Sequence, residues 1–155
     1  LLVIDRERLA GSGRRFALGC LSDLDFLLRV GDLGAFIKME WPPTVGYRVH
    51  RSNLSGSGRR LARAVREVLA CERRGEYAGG PARRRERRRI ISLHCAAMAR
   101  AQLRRADRRA AAAIYARSLP VHVAARRWDA IWKWPGHALR RSLSPAAPHP
   151  QPRES

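Results

Sequence analysis

From Gly58 to Leu143 the apolar residues recur three and four positions apart among clusters of arginine, and glycine or proline interrupts them at Gly79, Gly80 and Pro81, at Pro120, and at Pro135 and Gly136. Such spacing gathers apolar side chains on one face of a helix, whereas a half-buried strand alternates at every residue. The pattern predicts a first helix with Leu61, Val65, Val68 and Leu69 on one face, running to about Tyr77. A second should run from about Arg83 to Arg105 with Ile91, His94 and Met98 inward. A third, capped by Asp107, should reach about Ser118 and end at Pro120, and a fourth should span about Val123 to Trp134. The stretch after Ser144, SPAAPHPQPRES, is too poor in apolar residues to fold.

The net charge is +19, a field that concentrates polyanions near a surface. Its distribution argues against reading that charge as a nucleic-acid site. Up to Ser57 there are eight Lys and Arg against six Asp and Glu; from Gly58 onward there are 24 against seven. Thirty of the 32 basic residues are arginine, set among many alanines, a bias that a G+C-rich coding sequence produces without selection for a ligand. No apolar run approaches the roughly 18 residues of a membrane span, and no leader pattern opens the chain. The first residue is Leu1, which suggests a piece of something longer. Cys20, Cys71 and Cys95 are odd in number and form no C-x-x-C pair, which suits a reducing cytoplasm better than a disulfide framework or zinc site.

The first 57 residues have a different texture. Leu1 to Ile4 suits a buried strand that ends at the charged Asp5 to Arg8, and Gly11 to Arg15 suits a loop. Leu21 to Val30 reads as a short helix with Leu24, Leu27 and Leu28 at helical spacing and Ser22 or Asp23 placed to cap it. Ala35 to Trp41 and Val45 to Val49 are strand candidates separated by Pro42 and Pro43. So few elements cannot close a sheet core alone, so the missing strands are expected upstream of Leu1.

Two segments carry the chemistry: DLDFLLR, with Asp23, Asp25 and Arg29, and YRVHRSNLS, with Tyr47, Arg48, His50, Asn53 and Ser55. An inverting sugar transfer needs a carboxylate that takes the acceptor hydroxyl's proton as that oxygen attacks the anomeric carbon. A carboxylate at a helix N-terminus stays ionised through the helix dipole and the free amides. Asp23 is placed for that role. Asp25 is open to two roles, bonding acceptor hydroxyls or holding the loop, and Arg29 can pair with either carboxylate.

In order and spacing the two segments resemble the E-D-x-D-[LF]-x-x-R and Y-R-x-H-x-x-N-x-S motifs of inverting family 2 glycosyltransferases, over roughly Leu1 to Gly58. Ser22 stands where that pattern has glutamate, and Arg14, Arg15, Phe16, Ala17 and Leu18 stand where it has G-G-F-D-E. The resemblance implies an α/β fold: the C-terminal part of a nucleotide-diphospho-sugar transferase, Rossmann-like fold in residues 1–57, an arginine-rich all-α tail in 58–143, and a disordered end in 144–155. It implies transfer from a nucleotide-sugar donor to a hydroxyl of a glycan or lipid-linked acceptor, with Asp23 as base. Asp25, Arg29, Arg48 and His50 would bind substrate, and His50 is a candidate ligand of a divalent Mg or Mn ion. The family's main metal motif and donor half have no counterpart in this chain, so the chain alone is expected to be inactive. The rival readings are an arginine-rich helical module for RNA or DNA, or an inactive remnant of such a transferase.

Three features fall outside the motifs. GSGRR occurs at Gly11 and again at Gly56, the second copy opening a helix. The run Arg83 to Arg89 reads as a solvated helix face rather than an RNA grip. Trp128, Ile131 and Trp132 share a face that reads as buried against a neighbouring helix, the alternative being a peripheral membrane contact together with Trp134, at the inner face of the membrane.

Overall fold

The computed structural model describes residues 6–11, 20–32 and 57–143. Among the described residues six helices follow one another: α1 (Arg6–Gly11), α2 (Ser22–Val30), α3 (Gly58–Arg74), α4 (Arg84–Arg104), α5 (Arg108–Ala124) and α6 (Trp128–Leu143). There is no strand among the described residues, and this corrects the expected α/β, Rossmann-like fold: the described chain is all-helical. The strand candidates at Leu1 to Ile4 and within Ala35 to Val49 lie outside the described residues, as do Tyr47 to Ser55 and the C-terminal stretch after Leu143. Arg6 to Gly11, expected to lead out of a strand into a loop, forms α1, for which Arg, Glu, Leu and Ala are all favourable residues.

The reason for the all-helical outcome is visible in α2. Leu24 and Leu28 belong to one core with Leu61, Val65 and Val68 of α3, Ile91, Cys95 and Ala99 of α4, and Ile114 and Val121 of α5. The apolar face expected to meet a sheet meets helices instead. Phe26 is fully buried while Leu27 is 37% exposed, so the inward face of α2 is rotated from the one its leucine spacing suggested. Val65, Ile91 and Ile114 have no exposed surface, and each such burial contributes about 2 kcal/mol.

Local chemistry sets the helix ends. α3 stops at Gly75, earlier than the expected Tyr77, because Gly75 adopts φ 73° and Glu76 N–H donates to Cys71 O at 3.1 Å while Gly75 N–H donates to Glu72 O at 3.3 Å. That is the paired closure a left-handed glycine permits. α5 starts as expected, with Asp107 Oδ1 accepting from Ala110 N–H at 3.0 Å. α2 does not: neither Ser22 nor Asp23 caps it, the N-cap position is Leu21, and Ser22 Oγ lies 3.5 Å from Asp23 Oδ1. The start of α3 lies against the start of α5. A Cβ added at Gly58 would lie 2.2 Å from Asp107 Oδ2 and 2.4 Å from Ala110 Cβ.

Two prolines do not end helices as expected. Pro120 sits on the exposed side of α5, and the helix continues because Val121 and His122 beyond it are buried. A proline inside a helix costs about 3 kcal/mol, which that burial offsets. α6 likewise starts later than predicted and runs through Pro135 and Gly136 to Leu143. Pro135 has no N–H for the carbonyl of Ile131, four residues back, and the Tyr115 hydroxyl donates to that carbonyl at 3.1 Å instead.

Candidate functional site

The candidate site is built on the first turns of α2. Asp25 is buried, and both of its oxygens are engaged: Arg29 donates from Nε to Oδ2 at 2.8 Å and from Nη2 to Oδ1 at 3.2 Å, and the Tyr77 hydroxyl donates to Oδ1 at 2.8 Å. Arg29 also lies over the Tyr77 ring, 5.4 Å from its centroid, and its Nη2 is 3.8 Å from Glu76 Oε2. The turn after α3 is thereby fastened to α2. Ala78 N–H donates to Leu28 O at 3.1 Å and Arg83 Nη1 donates to Gly31 O at 2.8 Å, satisfying carbonyls that a helix end leaves free.

The charges in this cluster reinforce one another. The hydrogen bond from Arg29 to Asp25 raises the already high pKa of the guanidinium, and burial, followed by the bond to Asp25, pushes the Tyr77 phenol above its usual range. Arg74 pairs with Glu76 and, with a contribution from Cys71, holds that carboxyl down to about 2. The Cys71 thiol is pushed up by burial and sits 3.5 Å from Arg29 Nη2 and 3.4 Å from Arg74 Nη2. Asp23, two residues before Asp25, is exposed. The structure thus brings Asp25 and Arg29 together, leaves Asp23 facing solvent, and says nothing of Arg48 and His50, which lie outside the described residues.

Among the described residues no three His, Cys, Asp or Glu side chains converge to hold a metal ion. His50, the candidate ligand of a divalent ion, lies outside the described residues.

Two polar clusters went unseen in the sequence. Glu72, on α3, is buried against Arg87, on α4, with Arg87 Nε donating to Glu72 Oε2 at 2.9 Å, Arg87 Nη1 to Ala78 O at 2.6 Å, and Arg88 Nε 3.6 Å from Glu72 Oε1. Arg87 therefore leaves the solvated face assigned to Arg83 to Arg89. In the second, His122 is wholly buried between Ser92 Oγ, 2.7 Å from Nδ1, and Ser118 Oγ, 3.0 Å from Nε2. Ser118 donates its proton to Tyr115 O at 3.0 Å, so Ser118 accepts from Nε2–H and Ser92 donates to Nδ1. A neutral ring satisfies all three groups. Burial and the nearby Arg127 bring its pKa down to about 4. The i,i+4 spacing of Ser118 and His122 was the available signal, hidden by the expectation that Pro120 ends the helix. His94, expected inward, is exposed, while Met98 packs against the core.

Trp128 and Trp132 are not buried as expected: they are 53% and 76% exposed. The indole that packs is Trp134, stacked on Tyr115 with ring centroids 4.5 Å apart. Comparison with protein-family models, curated proteins and solved structures finds no match of any of the three kinds.

Proposed function

We propose that this chain supplies the acceptor-side base of an inverting sugar transfer from a nucleotide-sugar donor, and that Asp23 is that base. One observation supports the choice within the DLD motif: Asp25 has both oxygens engaged by Arg29 and Tyr77, whereas Asp23 stands exposed on the first turn of the same helix. Asp25 and Arg29 then act by holding the helix that presents Asp23. An exposed carboxylate can meet an acceptor hydroxyl; one enclosed by an arginine and a tyrosine cannot. The acceptor is a glycan or lipid-linked hydroxyl, and His50 and Arg48 are assigned to the diphosphate side on the second motif alone. Cys20, Cys71 and Cys95 form no disulfide among the described residues, which fits a cytoplasmic setting.

The test uses this chain joined to a donor-binding half that is active in sugar transfer. Asp23→Asn should retain helicity and donor binding and lose roughly 10²-fold or more in kcat. Near-normal kcat in that variant puts the base elsewhere.

A second reading, nucleic-acid binding, has one observation in its favour: Arg59, Arg60, Arg63 and Arg66 on α3 and Arg85 and Arg89 on α4 are all exposed. Binding of this origin is non-specific and fades with salt. Affinities for unrelated RNA and DNA sequences across a salt series decide it, and a preference for one sequence that survives high salt would place this reading first.

A further inference from the structure

Four of the six large apolar side chains that the described residues leave exposed belong to one helix pair: Leu119 and Val123 of α5, 37% and 46% exposed, and Trp128 and Trp132 of α6. The pair is an antiparallel hairpin. Residues 125–127 alone connect its helices, and Tyr115, ten residues before the turn, meets Ile131 and Trp134 beyond it. Leu119 and Val123 follow Tyr115 at steps of four, and Trp128 and Trp132 are themselves four apart, so each pair forms a stripe along its helix. Tyr115 and Trp134 face each other across the hairpin, while Ser118, His122 and Ala130 mark its core side. Following the helical turn from those fixed points brings both stripes to the side of the hairpin away from the core.

The surroundings are cationic. Between Arg108 and Leu143 there are eight Lys and Arg, and Asp129 is the sole carboxylate. Arg127 pairs with it, Nη2 to Oδ2 at 2.6 Å, and Arg109, Arg117, Arg126 and Lys133 are exposed. An indole has an apolar body and one N–H donor, which suits the boundary between headgroups and acyl chains, and a basic rim suits anionic headgroups. None of the described helices is long and apolar enough to cross a membrane.

The geometry points to an interfacial contact in which the α5–α6 hairpin lays Trp128 and Trp132 into the headgroup layer of an anionic bilayer. The contact is independent of the sugar-transfer reading. It is tested with the full chain and vesicles of phosphatidylcholine alone or mixed with phosphatidylglycerol. The chain should sediment with the anionic vesicles, and its tryptophan emission should shift to the blue and be quenched by lipids brominated along the acyl chain. Trp132→Ser should weaken partition, and Trp128→Ser with Trp132→Ser should weaken it at least tenfold with unchanged helicity. Trp132 is so exposed that its single variant remains informative if the double variant misfolds. Three results would overturn the proposal: no sedimentation with anionic vesicles, adsorption equally strong in the tryptophan variants, which marks charge alone, or tryptophans covered by a second copy or by another segment of the chain. In the last case emission is blue-shifted before lipid is added and bromolipids do not quench it. Preference for RNA over vesicles, unaltered by the tryptophan changes, counts against it equally.

Discussion

The Tyr77 hydroxyl donates to Asp25 Oδ1 at 2.8 Å, tying the turn after α3 to a helix 52 residues earlier in the chain. The bond is buried and its acceptor belongs to a carboxylate, the setting in which a hydrogen bond contributes most. Tyr77→Phe should lower the unfolding free energy by about 2 kcal/mol. Asp25→Ala, which removes the two-oxygen partner of Arg29 and the acceptor of the Tyr77 hydroxyl together, should cost more, about 3 kcal/mol. Urea unfolding followed by circular dichroism measures both, and equal stability of wild type and Tyr77→Phe would show that the bond contributes nothing net.

Gly58 opens α3 where a side chain would collide with the cap of α5, at 2.2 Å from Asp107 Oδ2. Alanine is the better helix former by about 1 kcal/mol, so propensity alone favours Gly58→Ala. Overpacking and loss of the cap act the other way and are larger. Gly58→Ala should destabilise by about 2 kcal/mol net. It should also be less than additive with Asp107→Ala, because the two changes disable one cap. Thermal melts of the two single variants and the double variant check both statements.

His122 gives folding an acid limit. Its folded pKa, about 4, lies below the ordinary 6.5, so between those values the unfolded chain binds the extra proton and stability falls as pH falls. The contribution is complete above about pH 6.5 and is lost progressively down to about pH 4, a total of about 3 kcal/mol. Glu76 and Asp129, both held down to about 2, begin to act only near the bottom of this window. His122→Gln should flatten the stability profile between pH 6.5 and 4, and a profile as steep as wild type would assign the acid sensitivity to other groups.

Where one helix face or one side chain decides an element, the sequence was readable. Leu61, Val65 and Val68 marked α3, and Asp107 announced the start of α5. The failures share a cause: contacts from distant parts of the chain outweighed local preference. Pro120 and Pro135 are strong helix breakers by themselves, yet the burial of Val121 and His122 carries α5 onward and Tyr115 attends to the carbonyl beneath Pro135. At the candidate site the sequence offered Arg29 a pairing with either Asp23 or Asp25, and the structure pairs it with Asp25, four residues back. The role of Tyr77 was not legible, since nothing local to Tyr77 indicates a partner 52 residues away. The α/β expectation failed in the same way, because the apolar side chains of α2 carry no mark of whether helices or a sheet will cover them.

The hydroxyl of Tyr115 stands in for an amide proton that Pro135 lacks, which makes the two positions epistatic. With proline at 135, Tyr115→Phe leaves the Ile131 carbonyl without its donor; with alanine there, the helix can supply its own N–H and the hydroxyl becomes dispensable. The coupling should be about 1 kcal/mol in a double-mutant cycle. It also orders the substitutions: a lineage can exchange Tyr115 for phenylalanine at little cost only after Pro135 has gone. Sequences descended from this one should therefore show phenylalanine at 115 together with a residue other than proline at 135.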